Sequence, residues 1–338
     1  MIIWLHKGES MRKRYSCIVD TMYSLMLYLL MMDMKQIQQT RYYFGSAVPM
    51  RVNQFFTHVM RFDCNAISKA SKNYRRWFRF RMWLVHLCRI AGTEIYAQDH
   101  LSYAQQLICG ANYILLEDAP GVYTRIINGV LYRPQKMTMY SRVANWASRG
   151  RIGLEIFGTN KQCLNRIVTE KSDTKAEVLK GRKYELVSLK ELWSKAGEEK
   201  KEFVLRVFDV DMEMIAGLRG LDTIILTQPF CTDFGMRPDE LVGIYRPYVE
   251  KYSAGGVVLK IHPRDKVDYT AYFHNVRILN SKAPMQLLSL LGVTFKRAIT
   301  ISSSAISAFS KDTEIISLGS NVHPKIAAFY EVSQIVNS

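Results

Sequence analysis

Two kinds of apolar segment alternate along the chain. Short runs such as "YSCIVD" (15–20), "RYYFGSAV" (41–48), "TEIYAQD" (93–99) and "NYILLED" (112–118) are apolar throughout and end in polar or charged residues. Runs of this length, rich in β-branched and aromatic residues, predict strands buried on both faces. Between them, helical spacing predicts a helix over 21–34, a long helical region over 51–91 and a helix over 100–109. "GLEIFGT" (153–159) and "KYELVSL" (183–189) read as further short strands.

Residues 191–204, "ELWSKAGEEKKEFV", are densely charged and contain a glycine, so they read as a linker or a helix at a domain join. Beyond them the alternation restarts. Strands are predicted at 222–230, 256–263, 275–279, 297–302 and 314–319. Helices fit at 238–252, where Pro238 marks the start, and at 284–291 and 304–310. Alternating β and α elements imply an α/β fold with parallel sheets covered on both faces. Two such blocks imply two doubly wound, Rossmann-like domains facing a cleft. The expected division is an extension over 1–10, a first domain over 11–195 with a basic helical insert at about 51–91, and a second over 205–338.

The chain has 338 residues, 48% hydrophobic and 22% charged, which suits folded domains and excludes a disordered chain. The net charge of +16 is uneven. Residues 1–150 hold 20 basic and 8 acidic side chains, and the remainder 26 and 22. The basic first half calls for an anionic partner: nucleic acid, a membrane surface, or an acidic glycan or nucleotide. The six cysteines have no CxxC spacing, so a zinc site is not expected and they read as reduced core residues. The apolar stretch 18–32 is interrupted by Asp20 and is followed by no small-residue cleavage site, so it reads as a strand entering a buried helix. Its unbroken part is too short to span a bilayer of about 30 Å.

In open α/β sheets ligands bind beyond the carboxyl ends of the strands, so strand ends are where chemistry is sought. Four stand out. Glu117 and Asp118 end one strand. A carboxylate there is either a general base or the side chain that closes a turn. His262 and Pro263 end another, followed by Arg264; the imidazole can donate to a phosphate or simply bond a neighbouring loop. Ser302, Ser303 and Ser304 join a strand to a helix, as an anion cradle or as a plain cap. Gln228 and Asp233 follow a fourth strand and either line a donor pocket or form an ordinary loop.

Two further signals are weaker. Asp209-Val210-Asp211 has the DxD form of some metal-binding glycosyltransferases but lies in a mixed-charge helical segment, which favours a solvated face. "NYRRWFRFRMW" (73–83) interleaves arginine with aromatics. Residues 61–89 carry eight Lys or Arg against one Asp. With no nucleic-acid-binding fold around it, this segment fits an anionic membrane surface, or a helix buried on its aromatic side and solvated on its arginine side.

In order and spacing, the carboxylate pair, the His-Pro strand end and the serine run resemble the motifs of bacterial sialyltransferases, above all glycosyltransferase family 52, the lipooligosaccharide sialyltransferase group. The resemblance covers about Tyr15 to Gly319. It implies a glycosyltransferase-B fold and an inverting transfer of sialic acid from CMP-sialic acid to a cell-surface glycan or glycolipid, with no cofactor or obligatory metal. Carried over, Asp118, with Glu117 beside it, matches the carboxylate motif, His262 and Pro263 the His-Pro motif, and Ser302, Ser303 and Ser304 the serine motif. The expected roles are Asp118 as catalytic base with Glu117, His262 facing the leaving phosphate, and Pro263 and the three serines binding substrate, to which the strand-end reading adds Arg264, Asp233 and Gln228. The family has glycine directly after its acidic pair and this chain has Ala119, which makes Asp233 and Glu240 the alternative carboxylates. The expected location is cytoplasmic, peripheral to the inner face of the membrane through helix 61–89, as a monomer or homodimer and without nucleic acid. The competing readings are a glycosyltransferase-B enzyme with another donor, a sugar-nucleotide epimerase, and a non-catalytic basic membrane- or nucleic-acid-binding protein.

Overall fold

A computed structural model of the protein describes residues 14–63, 66–67, 71–127, 139 and 156–328. The predicted extension over 1–10, the start of the predicted strand at 153–159 and the end of the second domain lie outside the described residues. The chain forms two compact units. Among the described residues, the first runs to Asp118 and takes in 156–168 and 178–187. The second takes in 119–127, 169–177 and everything from Ser188.

The first unit is built on a parallel sheet of order β3-β2-β1-β4-β5-β6-β7. It opens with β1 (Tyr15–Val19), whose Cys17, Ile18 and Val19 are fully buried. Thr21 then starts α1 (Met22–Met31) by accepting the Ser24 amide on its hydroxyl at 3.1 Å. Every residue from Met22 to Leu30 is buried, as expected of a helix apolar all round. The single helix predicted over 21–34 is in fact two. Asp33 and Gln36 exchange capping bonds at 2.7 and 2.8 Å, which begins α2 (Met34–Gln38) on a new axis.

After β2 (Thr40–Phe44), the long helical region expected over 51–91 is also divided. A 3₁₀ turn (Met50–Phe55) leads to β3 (Val59–Arg61), a half-buried edge strand parallel to β2. Three half-buried residues give no apolar run to read. Among the described residues, 66–67 are helical, and the long α-helix is Lys72–Val85, α3, continued by a π-turn over His86–Ile90. Then come β4 (Glu94–Ala97), α4 (Ser102–Ile108) and β5 (Tyr113–Leu115). The described part of 153–159 is a turn and not a strand: Phe157 and Gly158 have positive φ, 53° and 73°. The strand that joins β5 is β6 (Cys163–Val168), with β7 (Glu185–Leu186) outside it.

The second unit has a parallel sheet of order β10-β9-β8-β11-β12. Its helices include α5 (Val122–Ile127). Of the two readings of the charged segment 191–204, linker or helix, the helical one holds. The segment forms α6 (Leu189–Lys195) and most of α7 (Glu198–Phe208), separated at Gly197, and α7 buries Val204, Val207 and Phe208. The high charge belongs to the solvated faces of two amphipathic helices. The DxD segment is helix punctuation. Asp209 ends α7 in the left-handed conformation, and Asp211 caps α8 (Met212–Ala216) through the Met214 amide. Next come β8 (Thr223–Leu226), α9 (Phe230–Phe234), α10 (Pro238–Tyr252) and β9 (Val257–Lys260). The unit closes with β10 (Arg277–Leu279), α11 (Met285–Leu290), β11 (Arg297–Thr300) and β12 (Glu314–Ser317). Ile225, Tyr245, Leu259, Tyr269 and Ile299 anchor its core.

In each sheet the strand order reverses direction beside the first strand of the block, between β1 and β4 and between β8 and β11. These reversals leave the carboxyl ends of neighbouring strands uncovered by crossing connections, which is where open α/β sheets bind ligands.

Candidate functional site

In the first unit a carboxylate cluster lies at the reversal. Asp20 directly follows β1. Its backbone N–H donates to Gln98 Oε1 at the end of β4, and Gln98 Nε2 donates to Asp118 Oδ1 at 2.6 Å beyond β5. One amide side chain therefore ties three strand ends together and holds the Asp118 carboxylate near the Asp20 main chain. Asp20 Oδ1 also accepts the Ala47 amide at 2.8 Å. A β-carbon on Gly45 would stand 2.0 Å from that oxygen, so the carboxylate occupies space that only glycine leaves open.

Burial pushes the Asp20 carboxyl above its ordinary range, and the like charge of Asp118 pushes the same way. The Ala47 amide, His100 and Arg61 act against them. A carboxylate raised by burial and a neighbouring acid is a better proton acceptor than an exposed one. Sequence reasoning took Asp20 as the polar end of a strand and the break in an apolar run and did not single it out as a site residue, although it meets the same strand-end criterion as Asp118.

Glu117 and Asp118 part company. The Glu117 side chain is buried, accepts the Tyr23 hydroxyl, and its carbonyl accepts Ser24 Oγ at 2.6 Å. It locks α1 onto the end of β5. Asp118 is half-buried, on the Gln98 side. Ala119 is not in the left-handed region, whereas Gly121 is, at φ 75°. The turn therefore places its glycine requirement two residues later, and alanine after the acidic pair is compatible with it. Asp99 is fully enclosed by donors: Tyr113 Oη at 2.6 Å and the Phe157 and Gly158 amides at 2.8 Å each. It fixes the 156–159 turn, with His100 stacked on Phe157 at 4.9 Å.

In the second unit, His262 lies two residues past β9. Its amide donates to Thr227 Oγ1 at 3.0 Å at the end of β8, and its Nδ1 accepts the Arg264 amide at 3.2 Å. With Nδ1 an acceptor, the neutral ring carries its proton on Nε2 and presents it as a donor. Burial pulls the imidazole down to about 4, helped by the positive charges of Arg264 and Lys260. Thr227 was not singled out in the sequence; a threonine after three apolar strand residues gives little signal.

Pro263 and Arg264 make the turn that brings the Asp265 amide back to the His262 carbonyl at 2.9 Å. Arg264 Nη1 pairs with Asp233 Oδ1 at 2.8 Å, so these two predicted binding residues hold each other. Gln228 follows Thr227 at the end of β8, where its carbonyl accepts the Phe230 amide at 2.9 Å. Glu240, the other alternative base, opens α10. Its carboxylate accepts the Arg237 amide and Lys325, at 2.8 Å each, and the Lys325 bond first of all holds it down to about 2. It stays ionised as a helix cap.

Beyond β11, Ser303 Oγ accepts the Ala305 amide at 3.2 Å, and the Ser303 amide donates to Thr300 Oγ1 at 3.0 Å. Ser302 is exposed. The helix expected over 304–310 is a 3₁₀ turn, Ser304–Ala308, so it has no long dipole to offer, and the Ser304 side chain lies outside the described residues. Ser303 is a cap, and Thr227, Gln228, His262 and Ser302 stand just beyond the carboxyl ends of three adjacent strands, β8, β9 and β11.

The profile of glycosyltransferase family 52 matches residues 26–325. An uncharacterized protein of Haemophilus influenzae is 30% identical over 240 residues, 71% of this chain and 72% of that one. Among solved structures, a 2,6-sialyltransferase of Photobacterium sp. JT-ISH-224, determined with CMP and lactose, aligns with a TM-score of 0.59 at 9% identity, over 96% of this chain and 75% of that one. The GT-B domain of a Photobacterium damselae sialyltransferase aligns with a TM-score of 0.57 at 12% identity, over 95% of both. A putative UDP-N-acetylglucosamine 2-epimerase of Listeria monocytogenes gives 0.52 at 11% identity, over 96% and 89%. At these identities the likeness is one of fold, shared by transferases and epimerases.

Proposed function

This chain belongs to glycosyltransferase family 52 and is a glycosyltransferase, and we propose that its donor is CMP-sialic acid and its reaction an inverting transfer of sialic acid to a glycan or glycolipid hydroxyl. The second unit holds the donor, with the nucleotide phosphate on the polar edge of Thr227, Gln228 and Ser302. His262 donates through Nε2 to the phosphate oxygen that leaves. In the first unit, Asp118 and Asp20 are the carboxylates for the acceptor. One takes the hydroxyl proton as the acceptor oxygen bonds to the anomeric carbon. The bond from that carbon to the CMP phosphate oxygen breaks in the same step, and CMP departs with the electron pair.

The observation that carries this reading is His262, at a strand end inside the family match. Its Nδ1 is bonded to the Arg264 amide, so its free donor is fixed. A departing monophosphate is stabilised by such a donor, and general acid–base assistance of this kind is worth about 10²–10⁴-fold. The epimerase reading has the fold in its favour and the family match against it. A thermal-shift comparison of CMP with UDP, GDP and ADP tests the donor. CMP alone is expected to raise the melting temperature, and stabilisation by UDP or GDP with none by CMP would assign a different donor.

A further inference from the structure

Helix α3 is inverted relative to an ordinary surface helix. Phe78 and Met82, four residues apart, are its buried side chains, with Phe78 edge-on to Phe62 at 6.4 Å between ring centres. On the opposite side, Trp77, Phe80 and Leu84 follow at helical spacing and are 52%, 57% and 40% exposed, and Trp83 and Leu87 extend the same face. A solvated face normally carries polar residues, and an apolar patch of aromatics this exposed marks an interaction surface. The expectation of a helix buried on its aromatic side does not hold, since most of the aromatics point to solvent.

Charge identifies the occupant. Residues 72–89 contain six Lys or Arg and no acidic residue. Arg75, Arg76, Arg79, Arg81 and Arg89 are exposed, and the Arg81 guanidinium lies 5.1 Å from the Trp77 ring centre. A second copy docking through a two-fold axis would set one basic helix against another. A single-stranded nucleic acid needs a ladder of rings in a groove, and Leu84 and Leu87 on a lone helix offer no ring for a base. A bilayer with anionic headgroups matches both properties: tryptophans settle at the interface, aliphatic residues enter the acyl boundary, and arginines fork onto lipid phosphates. No helix among the described residues is long and apolar enough to cross a membrane, so the helix lies along the surface.

We propose that α3 is an in-plane anchor for an anionic lipid bilayer, with Trp77, Phe80 and Leu84 inserted and the flanking arginines on lipid phosphates. The anchor does not depend on which donor the enzyme uses.

Flotation with vesicles of phosphatidylcholine, alone or mixed with phosphatidylglycerol, tests it on the full chain, and tryptophan emission reports insertion. Binding and a blue shift are expected with the anionic vesicles only, weakening as salt is raised. Each arginine reversed should cost about fivefold in partitioning. The set Arg75→Glu, Arg76→Glu, Arg79→Glu and Arg81→Glu should therefore lose about 600-fold. The set Trp77→Ser, Phe80→Ser and Leu84→Ser should abolish the blue shift. Both sets should keep the wild-type melting temperature and nucleotide response, which separates lost docking from lost folding. The proposal is overturned by absence of flotation, by equal binding to neutral vesicles, or by undiminished binding of either variant set. It is equally overturned if wild type ignores vesicles but binds a single-stranded oligonucleotide, or self-associates through this face in light scattering.

Discussion

With its imidazole held down to about 4, His262 is neutral at pH 7 in the free protein, and only about one molecule in a thousand carries a second ring proton. Charging it there costs about 4 kcal/mol, three pH units at about 1.4 kcal/mol each. Burial is the main cause, with Arg264 and Lys260 adding like charge; Asp233 turns its carboxylate to Arg264 and not to the ring. One negative charge of a bound phosphate about 4 Å away returns about 4 kcal/mol at an effective dielectric of about 20. A nucleotide phosphate at this site should therefore raise the titration midpoint by about two to three units, into the range where the ring can serve as an acid.

NMR of the imidazole signals between pH 5 and 8 reads this out. His262→Asn identifies the His262 signal among the seven histidines. Without ligand, His262 should stay neutral throughout, with the nitrogen pattern of an Nε2–H ring. With saturating CMP it should titrate within the range. A midpoint near 6.5 in the free protein, or one unmoved by CMP, would refute both the buried environment and the phosphate contact.

Asp20→Asn should reduce turnover by about 10²–10⁴-fold while CMP stabilises the variant as it does the wild type, because the residue acts on the acceptor side; near-normal turnover leaves Asp118 as the base. Gly45→Ala forces a β-carbon onto Asp20 Oδ1, so urea denaturation should show a loss of about 1–3 kcal/mol, together with reduced turnover. Lys260 is buried, bonded to the Ser281 carbonyl at 2.8 Å, and lowered to about 8 by burial. Its folded pKa lies below the unfolded one, so stability falls as pH drops through about 10 to 8 and the full cost, roughly 3 kcal/mol, is present at neutral pH. Lys260→Met should flatten the stability profile between pH 8 and 10.5 in denaturant titrations, whereas an unchanged slope would place the charge elsewhere.

The sheets were legible because their strands are buried on both faces: Ile18, Val19, Val258 and Leu259 admit no other reading once bounded by polar ends. Elements carried by hydrogen bonds alone were not. β3 is three half-buried residues, β7 is two exposed ones, and the Asp33 cap that divides α1 from α2 sits inside an otherwise continuous apolar pattern. The charge of 191–204 left a linker and a helix both open, because amphipathic helices that bury one face and solvate the other are as charged as a loop. At the site, the strand-end position of His262 was legible from the apolar run before it. The roles of Glu117 and Asp118 were not, because neighbours on one strand end point to opposite sides and only the partners, Tyr23 and Gln98, tell which is which. The link from Asp20 through Gln98 to Asp118 spans three strands and has no local signature.

The central claim is the donor, and CMP release from CMP-sialic acid by the purified protein measures it. The account predicts steady release by the wild type and a fall of about 10²-fold or more in His262→Ala, with melting temperature retained. Absence of CMP release, together with absence of CMP binding, would contradict it.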